Sequence, residues 1–297
     1  MTEKRISQGF RQILTLCSFF LLTFGVSTPL HAETAYLVTE EFIDKDFVNA
    51  RTQALKIIKD KEHFQYKEVL GLYGWTEFML DNYLASQDAF KKLIKIDPNG
   101  FDSNLGVAWT SIKLGKFDGV ESYLGKAKAA AMGWQKFMVT DASGWLAAKR
   151  GDTVKAAKLF ESEWSNYVDG QAEEDDPMVG LAWLMMNKKD LDGAKDYFEK
   201  GLSRKDDCFF CRDGLARIAL AKGDLETALE HAVEGNKLVN YNNGLIVLLG
   251  TVLYRIKDPQ KTLDAYAALA DEHDESPVFK ALLGFGQIAV GKMDEAK

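Results

Sequence analysis

The stretch Lys67 to Pro98, KEVLGLYGWTEFMLDNYLASQDAFKKLIKIDP, constrains the fold more than any other feature of the chain. Leu70, Tyr73 and Gly74 recur at helical spacing, Asp81-Asn82 interrupts the pattern, and Tyr83, Ser86, Phe90 and Leu93 resume it until Pro98 stops it. The segment therefore predicts two short amphipathic helices joined by a tight turn. Helices this short are marginal alone, because few hydrogen bonds repay the nucleation cost and one pair cannot cover its own apolar face. Neighbouring copies must cover it, and the sequence supplies them.

Aligned on the turn before each second helix, the copies start at His31, Lys67, Phe101, Phe137, Asp175, Phe209, Asn243 and Pro277, with 34 residues the commonest step. The turns read Lys45-Asp46-Phe47, Asp81-Asn82-Tyr83, Gly115-Lys116-Phe117, Gly151-Asp152-Thr153, Lys189-Asp190-Leu191, Gly223-Asp224-Leu225, Lys257-Asp258-Pro259 and Gly291-Lys292-Met293. Three residues on stands Ala50, Ser86, Val120, Ala156, Ala194, Ala228, Thr262 or Ala296, where two crossing helices leave no room for a large side chain. The chain resembles the tetratricopeptide repeat family over nearly all of its length after residue 31. That resemblance implies an all-α, right-handed superhelical solenoid of about seven helix pairs, with contacts mostly between adjacent units and no internal hinge. The family's large aromatic four residues after the small one stands as Phe90, Phe160, Phe198 and Tyr266; it becomes Leu124, and shrinks to Ala54 and Ala232.

The N-terminus has a different character. Lys4, Arg5 and Arg11 precede an apolar run from Ile13 to Val26, and Pro29-Leu30-His31-Ala32 follows. That order is a secretory signal's, with cleavage expected after Ala32. The run is shorter than the roughly 20 residues a membrane-spanning helix needs. The expectation is a leader over 1–32 and a single solenoid over 33–297 in the periplasm, with a first helix shortened by cleavage; an inner-membrane anchor facing the periplasm is the alternative. The last repeat, from Pro277, is incomplete, and a longer native chain is expected to supply its second helix. The acidic stretch VDGQAEEDDP at Val168 to Pro177 reads as an inserted loop.

Removing the leader changes the formal charge from −7 to −9, with 34 Lys and Arg against 43 Asp and Glu. Nucleic-acid binding needs a clustered basic surface, which this balance argues against, and there is no general attraction to anionic lipid. Of three cysteines, Cys17 goes with the leader, leaving Cys208 and Cys211, a pair that fits one disulfide in an exported protein. Arg212 stands where a haem attachment motif needs His, no second pair completes a zinc site, and no thioredoxin-like strand precedes the pair. The histidines, His31, His63, His231 and His273, are scattered without metal-ligand or nucleophile-base spacing. The expectation is a scaffold without catalytic residues, metal or cofactor.

The candidate binding surface comes from register. Trp75, Trp109, Trp145 and Trp183 occupy the ninth place of the first helix in four consecutive units, and Arg217, Thr251 and Phe285 follow there. The resemblance implies that the second, fifth, ninth, twelfth and thirteenth places line a concave groove. That adds Leu105, Ile112, Phe78, Met79, Val179 and Met186, with Asp102, Asp141, Asp176, Lys113 and Lys149 between them. The Lys and Asn of the carboxylate-clamp members are missing, since Gly71, Leu105, Asp141 and Val179 stand beside the tryptophans. The expected partner is a protein or peptide, as part of an envelope assembly or secretion complex. A polysaccharide stacked on the indoles, in an accessory of polysaccharide export, is the second reading. Packing of the tryptophans within the superhelix is the structural alternative to both.

Overall fold

The computed structural model describes residues 29–133, 135–165 and 177–296. Residues 1–28 of the expected leader, and residues 166–176, which hold most of the stretch expected as an inserted loop, lie outside them. The described residues form fifteen helices and no strand. Units 1 to 3 pair α1 (Pro29–Ile43) with α2 (Phe47–Ile57), α3 (Tyr66–Met79) with α4 (Tyr83–Ile96), and α5 (Phe101–Lys113) with α6 (Val120–Ala130). Units 4 and 5 pair α7 (Gln135–Lys149) with α8 (Thr153–Ser165) and α9 (Pro177–Asn187) with α10 (Leu191–Arg204). Units 6 and 7 pair α11 (Phe209–Lys222) with α12 (Leu225–Lys237) and α13 (Asn243–Ile256) with α14 (Pro259–Glu272), and α15 (Pro277–Ala289) follows. The first helix, expected to be short, has 15 residues in the uncleaved chain and runs through Ala32.

The turns form for local reasons. Lys45, Asp81, Gly115, Gly151, Lys189, Gly223, Lys257 and Gly291 all sit in the left-handed region, with φ between 58° and 86°. In seven of these turns the next residue donates its N–H back to a carbonyl five residues earlier, as Asp190 does to Met185 at 3.0 Å and Asp46 to Glu41 at 2.9 Å. This closes the first helix. Where that next residue is Asp, its carboxylate starts the second helix: Asp46 accepts from the Asn49 N–H, Asp152 from Lys155, Asp190 from Gly193 and Asp224 from Thr227. Lys116 cannot accept, and the second helix of unit 3 starts later, at Val120.

Between units the packing alternates large against small. The Phe90 ring lies between the backbones at Gly74 of its own unit and Gly106 of the next, and Phe160 lies in the same way between Gly144 and Gly180. Phe198 faces Gly214. Where the large residue shrinks, its neighbour grows: Ala232 meets Leu248, Ala54 lies by Leu72, and Leu124 shares a cluster with Ala142. Ser86, at the tight helix crossing, donates its hydroxyl to the Gly74 carbonyl at 2.6 Å. First helices of successive units, from α1 through α13, also pack on one another, while among second helices α12 meets α14. The first helices therefore form the inner wall.

One set of contacts departs from the expectation of neighbour-only packing. The superhelix returns on itself, so that the turns of units 1 and 2 dock on the loops that enter α11 and α13. Lys45 donates to the Asp207 carboxylate at 2.8 Å, and the Asn240 N–H donates to the Lys45 carbonyl at 3.3 Å. The Asn242 side chain donates to the Met79 carbonyl at 3.0 Å, and the Gly244 N–H donates to the Asp81 carboxylate at 3.2 Å. Phe47, Leu80, Phe209, Val239 and Leu245 are buried together beneath these bonds. Burial alone would raise the Asp207 carboxyl, but the Lys45 hydrogen bond and the charges of Lys205 and Lys45 hold it below the usual carboxylate range.

Candidate partner-binding groove

The ninth-place tryptophans point their indoles into the seam between helices as well as along the inner wall. Trp75, Trp145 and Trp183 each meet the aromatic ring of their own unit edge-on, with centroids 4.9 Å from Phe90, 5.7 Å from Phe160 and 5.8 Å from Phe198. All three are half-buried, and Trp109 is only 8 % exposed. The Trp75 indole N–H donates to Asp102 at 3.0 Å. Phe78 bridges the ladder, 5.8 Å from Trp75 and 6.0 Å from Trp109.

The wall of units 2 and 3 is crowded by its own charges. Lys113 places its ammonium 5.6 Å from the Phe78 ring and 5.8 Å from the Tyr83 ring. Water reaches part of both Asp102 and Lys113, yet protein surrounds them closely enough that burial raises the Asp102 carboxyl and lowers the Lys113 ammonium. Asp81, Asp141 and Asp213 oppose that lowering, and Lys149 adds to it. Asp213 belongs to α11, so its field reaches Lys113 from a helix three units further along the chain. The Tyr83 hydroxyl donates to Asp81, and burial first, then that carboxylate, raises its pKa. On α11, Arg217 pairs with Asp213 at 2.9 Å and lies 6.0 Å from the Trp183 ring.

The remaining groove residues named from the sequence divide by burial. Leu105 and Ile112 are fully buried in the core of unit 3 and have no surface to offer. Met79 packs into the closure cluster, and Met186 lies half-buried between α9 and its neighbours. In the last units, where the wall is open, the ninth-place register gave Arg217, Thr251 and Phe285, while Val247, Tyr254 and Ile288 were not singled out. Val247, Tyr254, Phe285 and Ile288, at fifth, twelfth, ninth and twelfth places, are 60, 78, 65 and 47 % exposed. Val247 also lines a cleft of about 310 Å³, with Arg217, Leu220, Leu248, Thr251 and Arg255. The register that places the tryptophans also reaches these positions.

The sulfurs of Cys208 and Cys211 lie at bonding distance, with their Cα atoms 5.3 Å apart. Among the described residues no three His, Cys, Asp or Glu side chains converge as a metal site would require, and no helix is long and apolar enough to cross a membrane.

No protein-family model matches the chain, and no curated protein sequence matches it. Solved structures do. The Cut9–Hcn1 hetero-tetramer of the APC/C aligns over 96 % of this chain and 55 % of that one, at 14 % identity and a TM-score of 0.54. Yeast Tom70 aligns over 86 % of this chain and 54 % of its own, at 18 % identity and a TM-score of 0.55. A tetratricopeptide repeat protein from Parabacteroides merdae aligns over 86 % and 98 %, at 13 % identity and a TM-score of 0.45. The chain thus spans about half the length of the first two. With the period, the turns and the helix pairs, the fold is that of a tetratricopeptide-repeat solenoid.

Proposed function

We propose that the chain is an exported scaffold that holds a protein or peptide segment against the inner wall of its superhelix. One observation carries the reading: four large apolar side chains, Val247, Tyr254, Phe285 and Ile288, stand exposed at inner-wall places of the last units, and Val247 lines a cleft with Arg217 and Arg255. An apolar floor with the Arg255 guanidinium and the Arg217–Asp213 pair at its rim, in an acidic protein, suits an amphipathic segment carrying carboxylates next to its apolar residues. Trp75, Trp145, Trp183, Phe78 and Met186 extend the surface toward the N-terminus. Trp109, Leu105 and Ile112 support it from within. The basic and apolar leader supports export to the periplasm, and the paired cysteines suit an oxidising compartment; an envelope assembly or secretion complex is the setting we favour.

Peptides selected on the chain from a display library test the assignment. Replacing Tyr254 and Phe285 together by Ala should weaken the selected peptides by more than about tenfold, since burying one such side chain is worth about 1.5–3 kcal/mol. The melting temperature should hold, because both side chains are exposed. Unchanged affinity in this variant would remove the groove from the last units. Replacement of Trp109 is a poorer test, because truncating a buried Trp costs about 3–5 kcal/mol of stability.

A further inference from the structure

We propose that Cys208–Cys211 is a thiol-exchange site whose redox state works the closure between the two ends of the superhelix. Cys208 is the N-cap of α11 and partly exposed, and its sulfur accepts the Cys211 N–H at 3.1 Å. Cys211 is fully buried among Ala194, Phe198 and Leu215. An incoming thiolate can therefore reach one sulfur and not the other. The reachable sulfur sits at the positive end of a helix, which stabilises it as a thiolate once released. The sequence lacks a thioredoxin-like strand before the pair, but the helix N-terminus that the exchange chemistry uses is present.

The closure includes, beside the bonds of Asn240, Asn242 and Gly244, the two residues that flank Cys208. Asp207 receives Lys45 on its carboxylate at 2.8 Å and on its carbonyl at 3.3 Å. Phe209 lies with its ring 5.9 Å from the same ammonium and is buried against Phe47, Leu80, Val239 and Leu245. Lys45 itself occupies a left-handed turn position that Gly fills in four other units. A side chain is kept there at a conformational cost, and it is the one that reaches Asp207.

Reduction by a dithiol follows the ordinary exchange route. The reductant's thiolate bonds to the Cys208 sulfur while the Cys211 sulfur leaves with the bonding pair and takes a proton. The reductant's second thiolate then displaces Cys208, so the reductant departs as its own disulfide and the protein keeps two thiols. Two thiols cannot share the bonded position. Cys211 is walled in, so the displacement falls on Cys208 and carries Asp207 and Phe209 with it. Lys45 loses its carboxylate and ring together, the turns of units 1 and 2 lift from the loops before α11 and α13, and the inner wall around Trp75 and Phe78 opens.

The test uses the chain with Cys17→Ser, oxidised or fully reduced with dithiothreitol, each state confirmed by thiol titration. On reduction, the radius of gyration from small-angle X-ray scattering and the acrylamide quenching of tryptophan fluorescence should both rise, and both should return on reoxidation. Circular dichroism should not change. Lys45→Ala should give the higher values in both states and so abolish the redox difference. Reduction that alters neither quantity, or that melts the helices, would make the bond a plain staple of the fold. A Lys45→Ala variant that keeps the full redox difference would separate the closure from the cysteines. Either result overturns the proposal, and neither depends on what the groove binds.

Discussion

Gly106→Ala probes the seam that sets the spacing of the units. A Cβ at this position would lie 2.4 Å from three atoms of the Phe90 ring, whereas carbon atoms in contact prefer about 3.5–4.0 Å. The ring cannot simply retreat, because its other face lies against α3, where a Cβ at Gly74 would approach to 2.7 Å. Overpacking of a closed core costs about 1–3 kcal/mol, while replacing Gly by Ala within a helix returns about 1 kcal/mol. The expected result is a net loss of up to about 2 kcal/mol, toward the upper end because the ring is held on both faces. Gly125→Ala is the matched control: it lies exposed in α6 with nothing within 4 Å of a new Cβ, so only the gain of about 1 kcal/mol should appear. The same chemical change should therefore move stability in opposite directions at the two sites. Thermal melts followed by circular dichroism would read this as about 2–4 °C per kcal/mol for a chain of this size. The third unit shows the remedy, because Leu124 faces Ala142 there. Phe90→Leu added to Gly106→Ala should recover part of the loss, giving a favourable coupling in a double-mutant cycle. A Gly106→Ala protein as stable as Gly125→Ala, or a cycle without coupling, would refute the large-against-small account of the seam.

Lys189→Gly and Lys257→Gly, at turns with φ of 62° and 58°, should each raise stability by about 1 kcal/mol, a gain that urea titration would detect. Arg51→Ala should cost about 3 kcal/mol in the same titration, because it strips the cationic 2.7 Å partner from the fully buried Glu77 and leaves only the neutral Asn82 and Tyr73 side chains to hold the carboxylate. The closure should also respond to acid. Asp207 is depressed in the folded chain, so its contribution is complete above the ordinary carboxylate pKa of about 3.9 and is lost as the pH falls through the lower folded value. Scattering followed downward from about pH 6 should show the chain expanding only below the ordinary carboxylate pKa of about 3.9, and expansion already at about pH 6 would exclude Asp207 as the cause.

Features that depend on neighbouring residues were legible in the sequence. The turn triplets mark the αL position and the N-cap because both act within a few bonds: Asp152 reaches Lys155, and Gly151 needs only its own freedom. The large-small pairs were half visible. Phe90, Phe160 and Phe198 stood out, and glycines such as Gly106 and Gly144 read as places where helices approach or turns need freedom, but which ring each glycine faces, Phe90 at Gly106, Phe160 at Gly180 and Phe198 at Gly214, shows only in the packing. The tryptophan register was plain, yet the sequence could not say how much of each indole would remain open. Trp109, Leu105 and Ile112 lie buried, while Val247, Tyr254, Phe285 and Ile288, in the same register, stand exposed. The fifth, ninth and twelfth places name a direction on a helix; exposure also depends on what the opposite wall brings toward it.

The closure belongs to the tertiary structure alone. The period and the turns determined that helix pairs stack in order, since each pair must cover the next. Whether unit 1 meets the loops of units 6 and 7 depends on a small rotation at every junction, summed along the superhelix. Lys45 and Asp207 are separated by 162 residues with no pattern linking them, and a slight change of pitch at each seam would carry them apart. Local chemistry decides each junction, and only their accumulated geometry decides that the ends meet.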